Sequence, residues 1–248
     1  MEVQGTTALV TGANRGLGKA FAQALLAAGA RKVYAGARNP ESLSHPAFSA
    51  LKLDITNPED VKKAAELCSD VSILINNAGV MYSNQVLASP SMEPGRQEME
   101  VNYFGTLAMC RAFAPLLRRN GGGALVIMNS IVSLYPHPMN GTYGISRAAT
   151  MALTNAARIE LRAQGTLVVG VYASLIDTDM AKDLPLPKIS PEEVAAQVLE
   201  ALKKNQEEVN TDEETRTRRG LLRTDPQAVE RYMQQQWDTY SPMLGLQP

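Results

Sequence analysis

The chain has 248 residues, of which 45% are hydrophobic and 20% charged, with a formal net charge of −1. That composition supports a full apolar core without disulfide or metal staples. The near-neutral charge excludes strong electrostatic attraction to nucleic acid or an anionic membrane, and no apolar run reaches the roughly 18 residues a membrane span requires.

The first residues, Met1-Glu-Val-Gln-Gly5, lead into a strand with neither a basic region nor an apolar signal stretch, so a cytoplasmic location is expected. β-branched runs predict strands over 7–10, 32–35, 49–53, 72–75, 124–128 and 167–171. Helical periodicity fills the intervals at 17–28, 58–68, 97–118 and 143–164. This alternation predicts one α/β domain over 1–248: a Rossmann-type, doubly wound parallel sheet with helices on both faces. Asn57 before Pro58 and the Ser190-Pro-Glu-Glu193 stretch read as helix starts, and Gly29 and Gly165 as helix ends. Gly121-Gly-Gly123 separates a helix from the next strand. The charged stretch from Glu207 to Arg223 reads as a solvated helical face or loop within a C-terminal extension of about 205–248, whose tail runs from Gln234 to Pro248. Cys68 and Cys110 fall in helical segments and read as buried thiols of a reducing compartment.

Thr11-Gly-Ala-Asn-Arg-Gly-Leu-Gly18 follows the first strand and opens the first helix. Gly12 permits a tight turn, Gly16 lets the backbone approach a pyrophosphate, and Gly18 allows close helix–sheet packing. Within a βαβ unit this is a specific dinucleotide signal. The second strand ends Tyr34-Ala-Gly-Ala-Arg38, with Ala37 where a carboxylate would hold the ribose of NAD. Arg38 and Arg15 instead suit a 2′-phosphate, because guanidinium pairs bidentately with phosphate oxygens. The expected cofactor is NADP(H).

These residues, with Asn76-Asn-Ala-Gly79 after the fourth strand, Asn102 in the fourth helix, Ser130 after the fifth strand and Tyr143 beyond it, resemble the short-chain dehydrogenase/reductase family over most of the chain. The resemblance implies a cofactor-binding set of Gly12, Asn14, Arg15, Gly16, Leu17, Gly18, Arg38, Asp54, Ile55, Asn76, Ala78, Gly79, Tyr143, Arg147, Ile176 and Thr178, with Asp54-Ile55 holding adenine. It implies that Tyr143 exchanges a proton with the carbonyl or alcohol oxygen, that Ser130 hydrogen-bonds the same oxygen, and that Asn102 holds a helix kink and a relay water. It also implies a homodimer or homotetramer through the fourth and fifth helices. The expected substrate is a small carbonyl or alcohol compound, and a hydrophobic one if Tyr82, Pro138 and Met139 form walls of its site. The segment 180–188, with Pro185 and Pro187, reads as a short lid.

Two departures fall on the nicotinamide side. The family's Tyr-x-x-x-Lys is here Tyr143-Gly-Ile-Ser-Arg147, which keeps a cation one turn from the tyrosine. Arginine can bind ribose hydroxyls and sit as a charge beside the phenol, but it does not deprotonate and so cannot pass protons. The family's Pro-Gly after the sixth strand is Ala173-Ser174. A serine–tyrosine–arginine trio also resembles the halohydrin dehalogenases, so a lyase using Ser130, Tyr143 and Arg147 is one alternative, and a non-catalytic NADP-binding sensor another. Tight NADPH binding would count against the first, and hydride transfer to a carbonyl would exclude the second. His45 and His137 lack partners at metal-site spacing, so no metal is expected, and His137 reads as a loop residue.

Overall fold

The computed structural model describes residues 1–244 except Ser44, Ser83, Asp183 and Pro185; Pro185 of the expected lid and the last four residues of the expected tail lie outside the described residues. Seven parallel strands form one sheet: β1 (Thr7–Thr11), β2 (Lys32–Ala37), β3 (Phe48–Lys52), β4 (Ile73–Asn76), β5 (Ala124–Met128), β6 (Leu167–Tyr172) and β7 (Glu208–Asn210). Their order is β3-β2-β1-β4-β5-β6-β7. In register, Ala8 on β1 lies opposite Val33 on β2 and Ile73 on β4.

Strand alternation sorts the core into two layers. Ala8, Val10, Ile73, Ile75, Val126 and Val169 face α1 (Gly16–Ala27) and, later in the chain, a helix over Pro191–Lys203. Leu9, Leu74, Leu125, Ile127 and Val168 face α2 (Pro58–Leu67), together with the helices that flank β5. The chain runs outward from β1 to β3 and then crosses back to β4. This reversal opens a crevice at the carboxyl ends of β1 and β4, where ligands bind in open α/β sheets.

The expected helix over 97–118 is a continuous run of three pieces: α3 (Glu93–Glu98), a π-helical stretch (Met99–Gly105) and α4 (Thr106–Arg119). The next helix, α5 (Gly141–Glu160), starts two residues earlier than the periodicity indicates and ends in a 3-10 turn before Gly165. α6 (Pro191–Lys203) begins at the Ser190 cap as expected, the Ser190 side chain accepting from Glu193 N–H. The charged stretch contains β7 and α7 (Glu213–Thr224), followed by α8 (Pro226–Tyr240). β7 is short and joins the sheet edge through backbone pairing to β6, so it carries no apolar run that sequence patterning could detect. No helix among the described residues is long and apolar enough to cross a membrane.

Candidate active site

The crevice begins with the end of α1. Its N-cap is Arg15, which makes no side-chain capping bond, and its first turn holds no acidic residue. By contrast, α2, α6, α7 and α8 are capped by Asn57, Ser190, Asp212 and Asp225. α1 therefore leaves its first N–H groups and its positive dipole end directed at the crevice. Gly12 holds a left-handed φ of 65°. A Cβ on Gly18 would overlap the Gly12 carbonyl oxygen and lie 2.6 Å from Asn77 Nδ2, so only glycine lets α1 sit this close. Asn14 is half-buried in the turn, and Leu17 is buried in the core facing the sheet.

Two residues outside the expected set lock this turn. Thr11 Oγ1 accepts the Asn77 and Ala78 N–H groups, each at 3.0 Å. Asn77 Nδ2 in turn donates to the Thr11 and Gly12 carbonyls at 3.0 and 3.3 Å. Asn76 points the other way, donating to Cys110 Sγ at 3.6 Å, with its buried Oδ1 unpartnered among the described residues. The strand pleat was the available signal: Asn76 shares the face of Leu74, and Asn77 that of Ile75.

Arg38 is exposed just past β2. Arg15 Nη1 forms an exposed ion pair with Asp179 at 2.9 Å. Asp54 Oδ1 accepts from both the N–H and the hydroxyl of Thr56, at 3.0 and 2.7 Å, while Ile55 is buried against Gly105. On the opposite wall, a Cβ on Gly16 would lie 3.1 Å from Thr178 Cγ2. The backbone of Leu175, Ile176 and Asp177 pairs with Ile189, joining the two ends of the segment that holds residues 180–188.

At the far end, Arg147 is buried and fixed on three sides. Its Nε donates to Tyr143 Oη at 3.1 Å, and its Nη1 to the Met128 carbonyl at 3.0 Å. Its Nη2 lies against Gly79, where any Cβ would overlap it. Because Tyr143 Oη accepts from Arg147, its own O–H remains free to donate. Ser130 Oγ takes part in two long contacts, donating to Ala173 O and accepting from Val132 N–H, each at 3.4 Å. Such weak bonds leave the hydroxyl easy to redirect. Its backbone is held by Ser133 Oγ, which accepts the Ser130 N–H at 3.0 Å.

Asn102 lies in the π-helical stretch and is fully buried. Its Oδ1 accepts Val80 N–H at 2.8 Å, and its Nδ2 donates to Val80 O and Ser146 Oγ, both at 2.9 Å. Its carbonyl accepts the Thr150 hydroxyl at 3.0 Å. The loop after β6, where Ala173-Ser174 depart from the family pattern, is tied by Asp212, which accepts Ser174 N–H at 2.9 Å. Burial pushes the Asp212 carboxyl upward, but bonds from Ser174, Thr215 and Thr211 outweigh it and hold the group below its ordinary value of 3.8. Sequence reasoning missed Asp212 because it lies 38 residues from Ser174.

His137 accepts the Met139 N–H, and burial, then the nearby Arg218 cation, hold its pKa below the usual histidine range. Burial pushes both thiols, Cys68 and Cys110, up to about 12. No group of three or more potential metal ligands occurs among the described residues.

Comparison with known proteins matches this architecture. The model for short chain dehydrogenases matches residues 6–188. A short chain dehydrogenase of Monascus purpureus is 33% identical over 199 residues, covering 73% of this chain and 68% of that protein. The 1-deoxy-11-beta-hydroxypentalenate dehydrogenase of Streptomyces exfoliatus is 31% identical over 223 residues, covering 82% and 81%. Among solved structures, a short chain dehydrogenase from Burkholderia cenocepacia in complex with NADP is 42% identical, with a TM-score of 0.91 over 94% of this chain and 99% of that one. A relative from Burkholderia phymatum in complex with NAD, 21% identical with a TM-score of 0.83 over 92% and 96%, shares the fold.

Proposed function

The chain belongs to the short-chain dehydrogenase family, and from that premise we propose that it is an NADP(H)-dependent oxidoreductase interconverting a hydrophobic carbonyl compound and its alcohol. The observation that carries this reading is the buried Arg147 Nε–Tyr143 Oη bond, which leaves the phenol proton free, with Tyr143 packed on Ile131 and Val132, next in the chain to the loosely held Ser130. The glycine turn, the uncapped end of α1 and the Gly18 contact fit a pyrophosphate. Arg38, with Arg15 once released from Asp179, would hold the 2′-phosphate, and Asp54 the adenine. The Ile176 backbone and Thr178 line the nicotinamide side. NADPH bound there would supply the hydride.

In the reducing direction Ser130 orients the carbonyl oxygen by a hydrogen bond, and Tyr143 Oη delivers its proton to that oxygen. Arg147 keeps a full positive charge one hydrogen bond from the phenol as the proton leaves. Asn102 acts on neither; it fixes Val80 and, through Ser146 and Thr150, the second and third turns of α5. Because the guanidinium does not deprotonate, Tyr143 must regain its proton by a route that bypasses Arg147. A complete glycine turn under an uncapped α1 N-terminus supports this reading over a nucleotide-free lyase.

The exposed apolar side chains support a hydrophobic substrate. Tyr82, Val86, Leu87 and Met92 on one loop, and Met180, Leu184 and Leu186 on the lid, are all exposed in the chain alone. Exposed Phe104, Ile145 and Ile159, on the π-helical stretch and α5, support a homo-oligomer built on those helices. NADPH oxidation across a panel of ketones and aldehydes, by wild type and Arg147→Lys, tests the function. Wild-type turnover is expected, with an altered pH profile for the lysine variant. Turnover by the lysine variant alone, or halide release from haloalcohols without nucleotide, would overturn it.

A further inference from the structure

One buried carboxyl group beside the site remains without a role. Glu98 ends α3, has no solvent exposure and stands four residues before Asn102. Its Oε1 accepts the Tyr82 N–H at 2.7 Å, while Oε2 is buried with no hydrogen-bond partner among the described residues. Burying a carboxylate with unused acceptor capacity is unfavourable, so packing alone would place an apolar side chain here.

What Glu98 secures is the course of the chain above it. Asn102 grips Val80 through both its N–H and its carbonyl, and Glu98 grips the N–H two residues further on. Between these bonds lies Met81, packed on the cluster of Ile131, Val132 and Tyr143. Asn140, at the start of α5, donates to the Met81 sulfur at 3.7 Å. With one clamp, the segment could pivot about Val80. With two, Met81 is held against the ring of Tyr143.

We propose that Glu98 is a positioning residue: with Asn102 it clamps residues 80–82, so that Met81 forms a fixed wall beside Tyr143 for the apolar substituent of the carbonyl substrate. The substrate part rests on the carbonyl-reductase reading, whereas the clamp does not.

Residue-resolved amide exchange and steady-state kinetics on Glu98→Gln and Glu98→Leu separate the two. Glutamine retains an acceptor for the Tyr82 N–H, and leucine does not. In the leucine variant alone, Tyr82 exchange and the KM for the carbonyl substrate are each expected to rise about tenfold, the effect of one lost hydrogen bond. Val80 protection, kcat and NADPH affinity should stay within about twofold. Unchanged Tyr82 exchange in the leucine variant, equal losses in both variants, or a fall in kcat at constant KM would overturn the proposal. Should the leucine variant not fold, Tyr82→Pro removes the same bond and Tyr82→Ala only the side chain; a KM about tenfold higher for proline than for alanine is expected, and equal KM values overturn the proposal. An inactive wild type would defeat the carbonyl reading, while amide exchange would still decide the clamp.

Discussion

The two ends of the crevice are built by opposite means. At the pyrophosphate end, binding capacity comes from what is absent: side chains at Gly12, Gly16 and Gly18, and a cap on α1. At the carbonyl end, the supporting side chains are fixed in place, with Arg147 held by Tyr143, Met128 and Gly79, and Asn102 by Val80 and Ser146, while the Tyr143 and Ser130 hydroxyls stay free to act. The first end recognises its ligand through backbone N–H groups and a helix dipole, which few substitutions can imitate. The second depends on the placement of particular atoms, so small displacements should affect turnover more than binding.

Among substitutions that leave every reacting group in place, Gly79→Ala should have the largest effect, because the new Cβ would overlap Arg147 Nη2 and sit 3.0 Å from Asn102 Oδ1. Displacing the guanidinium by about an ångström is expected to lower kcat roughly 100-fold, with NADPH affinity in a direct titration nearly unchanged. Retained kcat would break the contrast between the two ends. Arg38→Ala acts at the other end. It is expected to weaken NADPH binding roughly 10- to 100-fold, the worth of a charge-assisted hydrogen bond, and to leave NADH binding alone. Calorimetry with both nucleotides would show whether the preference resides there.

The smallest expected effect is on stability. Asp212→Ala removes the α7 cap and the Ser174 tether, and should cost about 1–3 kcal/mol in denaturant unfolding at neutral pH. The folded-state pKa of Asp212 lies below its ordinary value of 3.8, so its contribution is complete above pH 3.8 and is lost as pH falls through the folded value. The gap between wild type and variant should therefore narrow in acid; a gap that stays constant would show that charge is not involved.

Much of this contrast is legible in the sequence, but unevenly. The glycine turn is readable because backbone requirements leave a residue-type imprint at fixed spacing. So are the central strands β1, β4, β5 and β6, whose burial on both faces demands apolar runs; the edge strand β3 shows only as a short apolar run. Arg147 is readable as a departure, although its three contacts are not, since Met128 and Gly79 reach it only through the fold. The π-helical stretch around Asn102 has the same apolar pattern as an α-helix, so periodicity cannot separate them. Asn76 and Asn77 are chemically identical, and only the pleat of β4 assigns them to opposite faces. Arg15 shows a further limit: spacing places it near a phosphate, but its partner Asp179 comes from a loop across the crevice.

The central claim is that cofactor binding and proton delivery are separable functions of the two ends. Parallel NADPH titration and carbonyl turnover of Tyr143→Phe test it most directly, because phenylalanine keeps the buried ring and removes only the oxygen that accepts from Arg147. NADPH affinity is expected to stay within about threefold of wild type while kcat falls roughly 100- to 10,000-fold. Undiminished turnover, or loss of binding together with turnover, would contradict the account.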